Sequence, residues 1–163
     1  MAIAAGLLAG CESSAPTPPP PTGSAGNNIS IVSESTDAIA SAPAVQAELA
    51  RVRRLLMTRG FAILMCSRLI DAGRDDLCLI VASGDSGFAR DLGVTVRAAS
   101  GAHAIEPGHL AGREVLLACG RDEAGLVAAL TEIGSRVTAA ADPHAALRWS
   151  AAPLPTPAPG LAK

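Results

Sequence analysis

The sequence predicts an α/β protein: one small three-layer domain with a mainly parallel sheet, flanked by disordered Pro/Ala-rich ends. Three observations carry this expectation. Runs of strand length that are apolar on both faces alternate with stretches of helical periodicity, the rhythm of a parallel sheet covered by helices. Prolines crowd into the two ends of the chain. Of the 163 residues, 34 are alanine and 38 are Leu, Ile, Val or Phe, which is core material for one modest domain and not for two. Composition also excludes a class of partner. With no tyrosine, two phenylalanines and one tryptophan there is no stacking platform for single-stranded nucleic acid, and a net charge of −2 attracts no polyanion.

Taken in order, Met1 to Gly10 is uncharged and ends at Cys11. Ten residues are too few to cross a bilayer, which takes about 20. The run Leu8-Ala9-Gly10-Cys11 resembles the lipobox of bacterial lipoproteins, where small residues before a cysteine admit the signal peptidase and the thiol receives diacylglycerol. The resemblance is confined to the N-terminal region. It implies a signal-like segment over 1–11, lipidation at Cys11, a membrane partner through the lipid anchor on the extracytoplasmic face of the cell membrane, and an envelope protein as a further partner. In one respect it departs from the family: no Lys or Arg precedes the apolar run. Residues 12–28, rich in Pro and Ser, suit an extended tether between anchor and domain. At the other end, 151–163 carries proline at every second position from Pro153 to Pro159, which forbids helix and strand alike and predicts a disordered tail. The domain is then 29–150.

Within it, Ile29 to Val32 alternates as a short strand. From Ser41, as N-cap, with Pro43 in the first turn, the recurrence of Val45, Leu49, Val52 and Leu56 predicts a helix that Gly60 ends. Phe61–Cys66 and Leu77–Ala82 are apolar on both faces and suit buried strands, with 67–76 as a short crossover between them. Val94–Val96 and Val115–Cys119 add two further strands. Asp122 caps a second helix with Leu126, Val127, Leu130 and Ile133 inward and Gly134 as its stop. Arg136–Ala140 reads as a last strand, and Asp142-Pro143 opens a short helix through Leu147. The stretch 112–147 resembles the opening half of a response-regulator receiver or another Rossmann-like βαβ unit. Ala118 and Cys119 stand where the receiver's carboxylates would be, so only the shape carries over.

Candidate chemistry gathers in three polar clusters, each following a predicted strand: Ser83–Gly87, Gly120–Glu123 and Asp142–His144. In a parallel sheet all three would share the carboxyl edge, where loop amides and helix N-termini meet ligands. Asp85, Arg121 and Asp122 are the candidate ligand-binding residues there. Gly84-Asp85-Ser86-Gly87 resembles the serine signatures of trypsin-like proteases and of SGNH esterases, which implies Ser86, Asp142 and His144 as catalytic candidates. No histidine precedes Ser86, however, and one residue rather than two separates Asp142 from His144. His103, His109 and Glu106 fall in a Gly/Pro loop over 101–112 without metal-ligand spacing, so no metal and no cofactor is expected. Cys66, Cys78 and Cys119 sit in apolar runs and are expected as buried reduced thiols. Arg51, Arg53 and Arg54 read as a solvated helix face. The expected function is a lipid-anchored envelope protein whose domain binds a ligand or partner without catalysis. The alternatives are a small serine hydrolase using Ser86 and His144, and a cytoplasmic receiver-like or nucleotide-binding domain.

Overall fold

The structure is a computed structural model that describes residues 27–148. The lipobox-like segment, Cys11, all but the last two residues of the tether, and the C-terminal tail lie outside the described residues. The elements run β1 (Asn28–Val32), α1 (Pro43–Thr58), β2 (Ala62–Cys66), β3 (Leu77–Ser83), α2 (Gly87–Asp91), β4 (His103–Leu110), β5 (Arg113–Gly120), α3 (Glu123–Ala139) and α4 (Pro143–Leu147). A turn of 3-10 helix at Leu69–Asp71 interrupts the crossover from β2 to β3. The strands form one five-stranded sheet in the order β2-β1-β3-β5-β4. β2, β1, β3 and β5 are mutually parallel, and β4 joins the edge antiparallel to β5. The chain is therefore an α/β domain with a mainly parallel sheet, as its patterning predicts.

The two faces are covered unequally. α1 and α3 pack on each other and on one face, where Val45, Leu49, Val52 and Leu56 meet Leu126, Leu130, Ile133 and Val137 over Ile29, Ile31, Leu79 and Leu116. Among the described residues the other face has no long helix. Val32, Cys78, Ile80, Val115, Leu117 and Cys119 are covered there by Leu69, Phe88, Leu92, Val94 and Val96, all from short segments. Central strands covered on both faces must be apolar throughout. β3 is so from Leu77 to Ala82, and β1 from Ile29 to Val32 departs from it only at Ser30, whose buried hydroxyl donates to Asp76 at 2.6 Å and accepts from Gly73 N–H at 3.2 Å.

Four expectations are corrected. Ser41 does not cap α1; the cap is Ala42 with Pro43 following, and the Ser41 hydroxyl instead donates to the Ser35 carbonyl. Val94–Val96 is not a strand, because the outer edge of β5 is taken by β4; the two valines pack onto the sheet face instead. The Gly/Pro loop expected over 101–112 is mostly β4, closed onto β5 by a two-residue turn in which Ala111 and Gly112 both have positive φ. Pro107 is tolerated because β4 is an edge strand. Most consequentially, Arg136–Ala140 is not a strand: α3 runs on through Gly134 to Ala139. Leu126, Leu130, Ile133 and Val137 keep one helical face continuous. The hydroxyls of Ser135 and Thr138 are satisfied inside the helix by the carbonyls of Thr131 and Gly134.

Candidate functional site

Because β3 and β5 are parallel, the Ser83–Gly87 and Gly120–Glu123 clusters do lie together at the carboxyl edge. They are joined there by a hydrogen bond from Gly84 N–H to the Gly120 carbonyl at 2.8 Å. Asp142 and His144 do not share this edge. With α3 running the full length of the sheet, the chain returns to the amino edge before α4 begins. There the His144 imidazole lies 2.7 Å from the Asn27 side-chain oxygen, just ahead of β1, and 4.5 Å from the Phe61 ring by centroids. The length of β3, about 20 Å at 3.3 Å per residue, separates this end from Ser86. Ser86, Asp142 and His144 thus form no constellation, and each has a local duty. Ser86 caps α2 by accepting from Ala89 N–H at 3.2 Å, and Asp142 caps α4 by accepting from His144 and Ala145 N–H.

Asp122 is likewise occupied. Its carboxylate accepts from Gly125 N–H at 2.8 Å, from Gly101 N–H at 3.0 Å and from the Ser100 hydroxyl at 2.8 Å. The bond from Gly125, with those from Gly101 and Ser100 behind it, holds the Asp122 carboxyl below the usual aspartate range. The start of α3 depends on two glycines, one on each side of Asp122. A β-carbon on Gly120 would collide with the backbone of Leu126, and one on Gly125 with the Ala102 carbonyl, so α3 starts as close to β5 as backbone allows. Arg121 between them is exposed, its N–H bonded to the Ala102 carbonyl at 2.8 Å.

A crevice opens at a different point of the same edge, between the carboxyl ends of β1 and β3. From β1 the chain goes to β2 on one side and afterwards to β3 on the other, which makes this the point where the strand order reverses and where open α/β sheets seat ligands. The hollow is about 360 Å³, lined by Glu34, Thr36 and Asp37 from the loop after β1, by Ser83 at the end of β3 and by Asp85 and Ser86 from the loop after it. Asp37 builds it. One carboxylate oxygen accepts from Ile39 and Ala40 N–H, both at 3.0 Å, and the other accepts from Ser83 N–H at 2.6 Å. The β1–α1 loop is thereby folded on itself and clasped to the end of β3. Glu34 and Asp85 are exposed at the mouth. A second hollow on the far side of the same loop, between β1 and β2, is lined by Ser33, Ser35, Ser41, Gln46 and Ser67.

Of the expected ligand residues, then, Asp85 lines the switch-point crevice, and Asp122 serves the fold. Glu34, Thr36 and Asp37 escaped the sequence reading. Their signal was present, since Ser33-Glu-Ser-Thr-Asp37 is a polar stretch directly after a strand, like the clusters that were recognised. His103 and His109 project from β4 six residues apart, with His103 paired to Glu132 at 3.3 Å. Cys66, Cys78 and Cys119 are free and buried, and burial pushes the Cys119 thiol up to about 11. Among the described residues no helix is long and apolar enough to cross a membrane. No protein-family model matches the chain, and no curated protein and no solved structure is significantly similar to it.

Proposed function

We propose that the domain is a ligand-binding module, held at a membrane through Cys11, that takes a small polar ligand in the crevice between the ends of β1 and β3. The observation that carries the binding reading is the Asp37 clasp. It fixes both walls of a crevice at the topological switch point before any ligand arrives, so binding there spends little on ordering loops. Carboxylates at Glu34 and Asp85 and hydroxyls at Thr36 and Ser86 favour a ligand rich in hydroxyl or ammonium donors, and the acidic mouth disfavours phosphate esters. The membrane half of the proposal rests on the lipobox-like run and the Pro/Ser-rich stretch after it.

Each half has its own test. Amide chemical shifts of the full chain, titrated with a panel of monosaccharides, polyols and polyamines and with inorganic phosphate as control, should move at Thr36, Asp37, Asp85 and Ser86 for at least one panel member. Asp85→Asn should weaken that response about tenfold, the worth of one charge-assisted hydrogen bond. Shifts for phosphate alone, or confined to Arg121 and its neighbours, would refute the crevice. For the anchor, Cys11→Ser expressed in a bacterial envelope should move the protein from the membrane to the soluble fraction. An unchanged distribution removes the lipid tether and leaves the crevice standing.

A further inference from the structure

The sheet's two edges are built differently. β4, at one end, carries Pro107, Gly108, Glu106 and two histidines, the devices by which proteins stop an edge strand from recruiting another. β2, at the other end, is Ala-Ile-Leu-Met-Cys, without charge, proline or glycine. Among the described residues no strand pairs with its outer row of backbone groups. Ala62 donates its N–H to the Asn27 carbonyl, and Cys66 accepts from Ser33 N–H, so residues of that parity face β1. The N–H and carbonyl groups of Ile63 and Met65 therefore point off the sheet. Apolar side chains are exposed on this strand, Leu64 at 48% and Met65 at 43%, and on the elements that flank it in sequence, Met57 on the last turn of α1 at 52% and Ile70 in the following 3-10 turn at 74%. An apolar strand edge of this kind is a template for pairing with another strand.

We infer that the occupant is β2 of a second copy of this chain, joined antiparallel about a two-fold axis at Leu64, so that two five-stranded sheets become one of ten. The charge pattern favours a copy of itself. Since Ala62–Cys66 carries no charge, self-pairing sets no like charges opposite one another, whereas a charged partner strand would find no counter-charge on it. The register follows from the parity of the outward groups. With Leu64 opposite Leu64, Ile63 of each copy faces Met65 of the other, and each such pair exchanges two N–H···O bonds, four in all. Leu64 then meets its counterpart in a non-hydrogen-bonded pair, β-carbons about 4.5–5.5 Å apart. The contact is small. A five-residue strand is about 16 Å long, so the interface sits at the lower end of what specific association needs, and the dimer should be reversible, with Kd on the order of 10 μM.

Sedimentation of the full chain should show a dimer near 200 μM and a monomer near 1 μM, in line with that affinity. Met65→Pro is the diagnostic variant. Its N–H faces outward, so proline there removes no bond to β1 but abolishes the pairing; the variant should keep its far-UV spectrum and sediment as a monomer at 200 μM. Leu64→Lys should do the same by setting two ammonium groups face to face. In a Cys11→Ser background, Leu64→Cys should form an intermolecular disulfide on mild oxidation, while Arg54→Cys on the exposed face of α1 should not. A wild-type chain that stays monomeric at 200 μM, whether because the edge belongs to another protein or to another segment of this chain, overturns the inference. So does a dimer that survives both Met65→Pro and Leu64→Lys.

Discussion

At the scale of the residue, the acidic side chains divide into those that hold the backbone and those left to meet a ligand. Asp37, Asp122 and Asp142 each accept from two or more backbone N–H groups, which leaves Glu34 and Asp85 as the carboxylates at the mouth of the crevice. Asp122 makes this division measurable through pH. Its folded-state carboxyl is held low by Gly125, Gly101 and Ser100, so the native state gives up the proton more readily than the unfolded chain. The stabilisation is complete above the unfolded value of about 4 and is lost as pH falls through the lower folded value. Asp122→Asn should therefore be less stable than wild type at pH 7, and the gap should narrow below pH 4, read from urea midpoints across the range. A gap that stays constant with pH would show that the carboxylate's charge is irrelevant to the cap. Asp122 was legible as a cap from its place before a helical pattern. Asp37 was not, because its third partner, Ser83, lies 46 residues away.

At the scale of the element, periodicity was a good guide wherever one face of a helix meets the core, and a poor one at helix ends. Gly134 reads as a stop and Arg136–Ala140 as a strand, since glycine and β-branched residues such as Val137 and Thr138 ordinarily mark those features. In the fold Gly134 lies inside α3 and faces Arg51 of α1, while Val137 continues the buried face. The contrast between two glycines of α3 follows from what each faces. A β-carbon at position 134 meets the far end of the Arg51 side chain, which can swing aside, so Gly134→Ala should gain about 0.5–1 kcal/mol from helix propensity. At position 125 it meets the Ala102 backbone carbonyl, which cannot move without shifting the start of β4, so Gly125→Ala should cost about 1–3 kcal/mol. Chemical denaturation of the two variants checks both signs; equal effects would refute the packing argument. β2 repeats the lesson from the other side. Its continuous apolar run reads as a strand buried on both faces, yet Leu64 and Met65 are exposed because β2 ends the sheet.

At the scale of the whole molecule, the path of α3 decides which residues share an end. By crossing the entire sheet it delivers α4 to the amino edge, where Leu147, 2% exposed, closes the core beneath the α1 and α3 layer. Leu147→Ala should accordingly cost about 2–4 kcal/mol although it is the last buried residue of the described chain. A loss below 1 kcal/mol in the denaturation midpoint would mean that α4 is an appendage. Alone, the sequence determined the α/β class, the main elements and the residues they bury, because burial on a helix face or on a two-sided strand leaves a periodic trace in the chain itself. It also placed polar clusters after strands, one of which, Ser83–Gly87, lines the crevice. Only the tertiary structure decided which clusters meet. It separated His144 from Ser86, brought Asp37 to Ser83, and put the apolar β2 at an edge of the sheet. Those outcomes depend on strand order and on where a helix ends in space, and residues that become neighbours only through packing leave no local periodicity from which their meeting can be read.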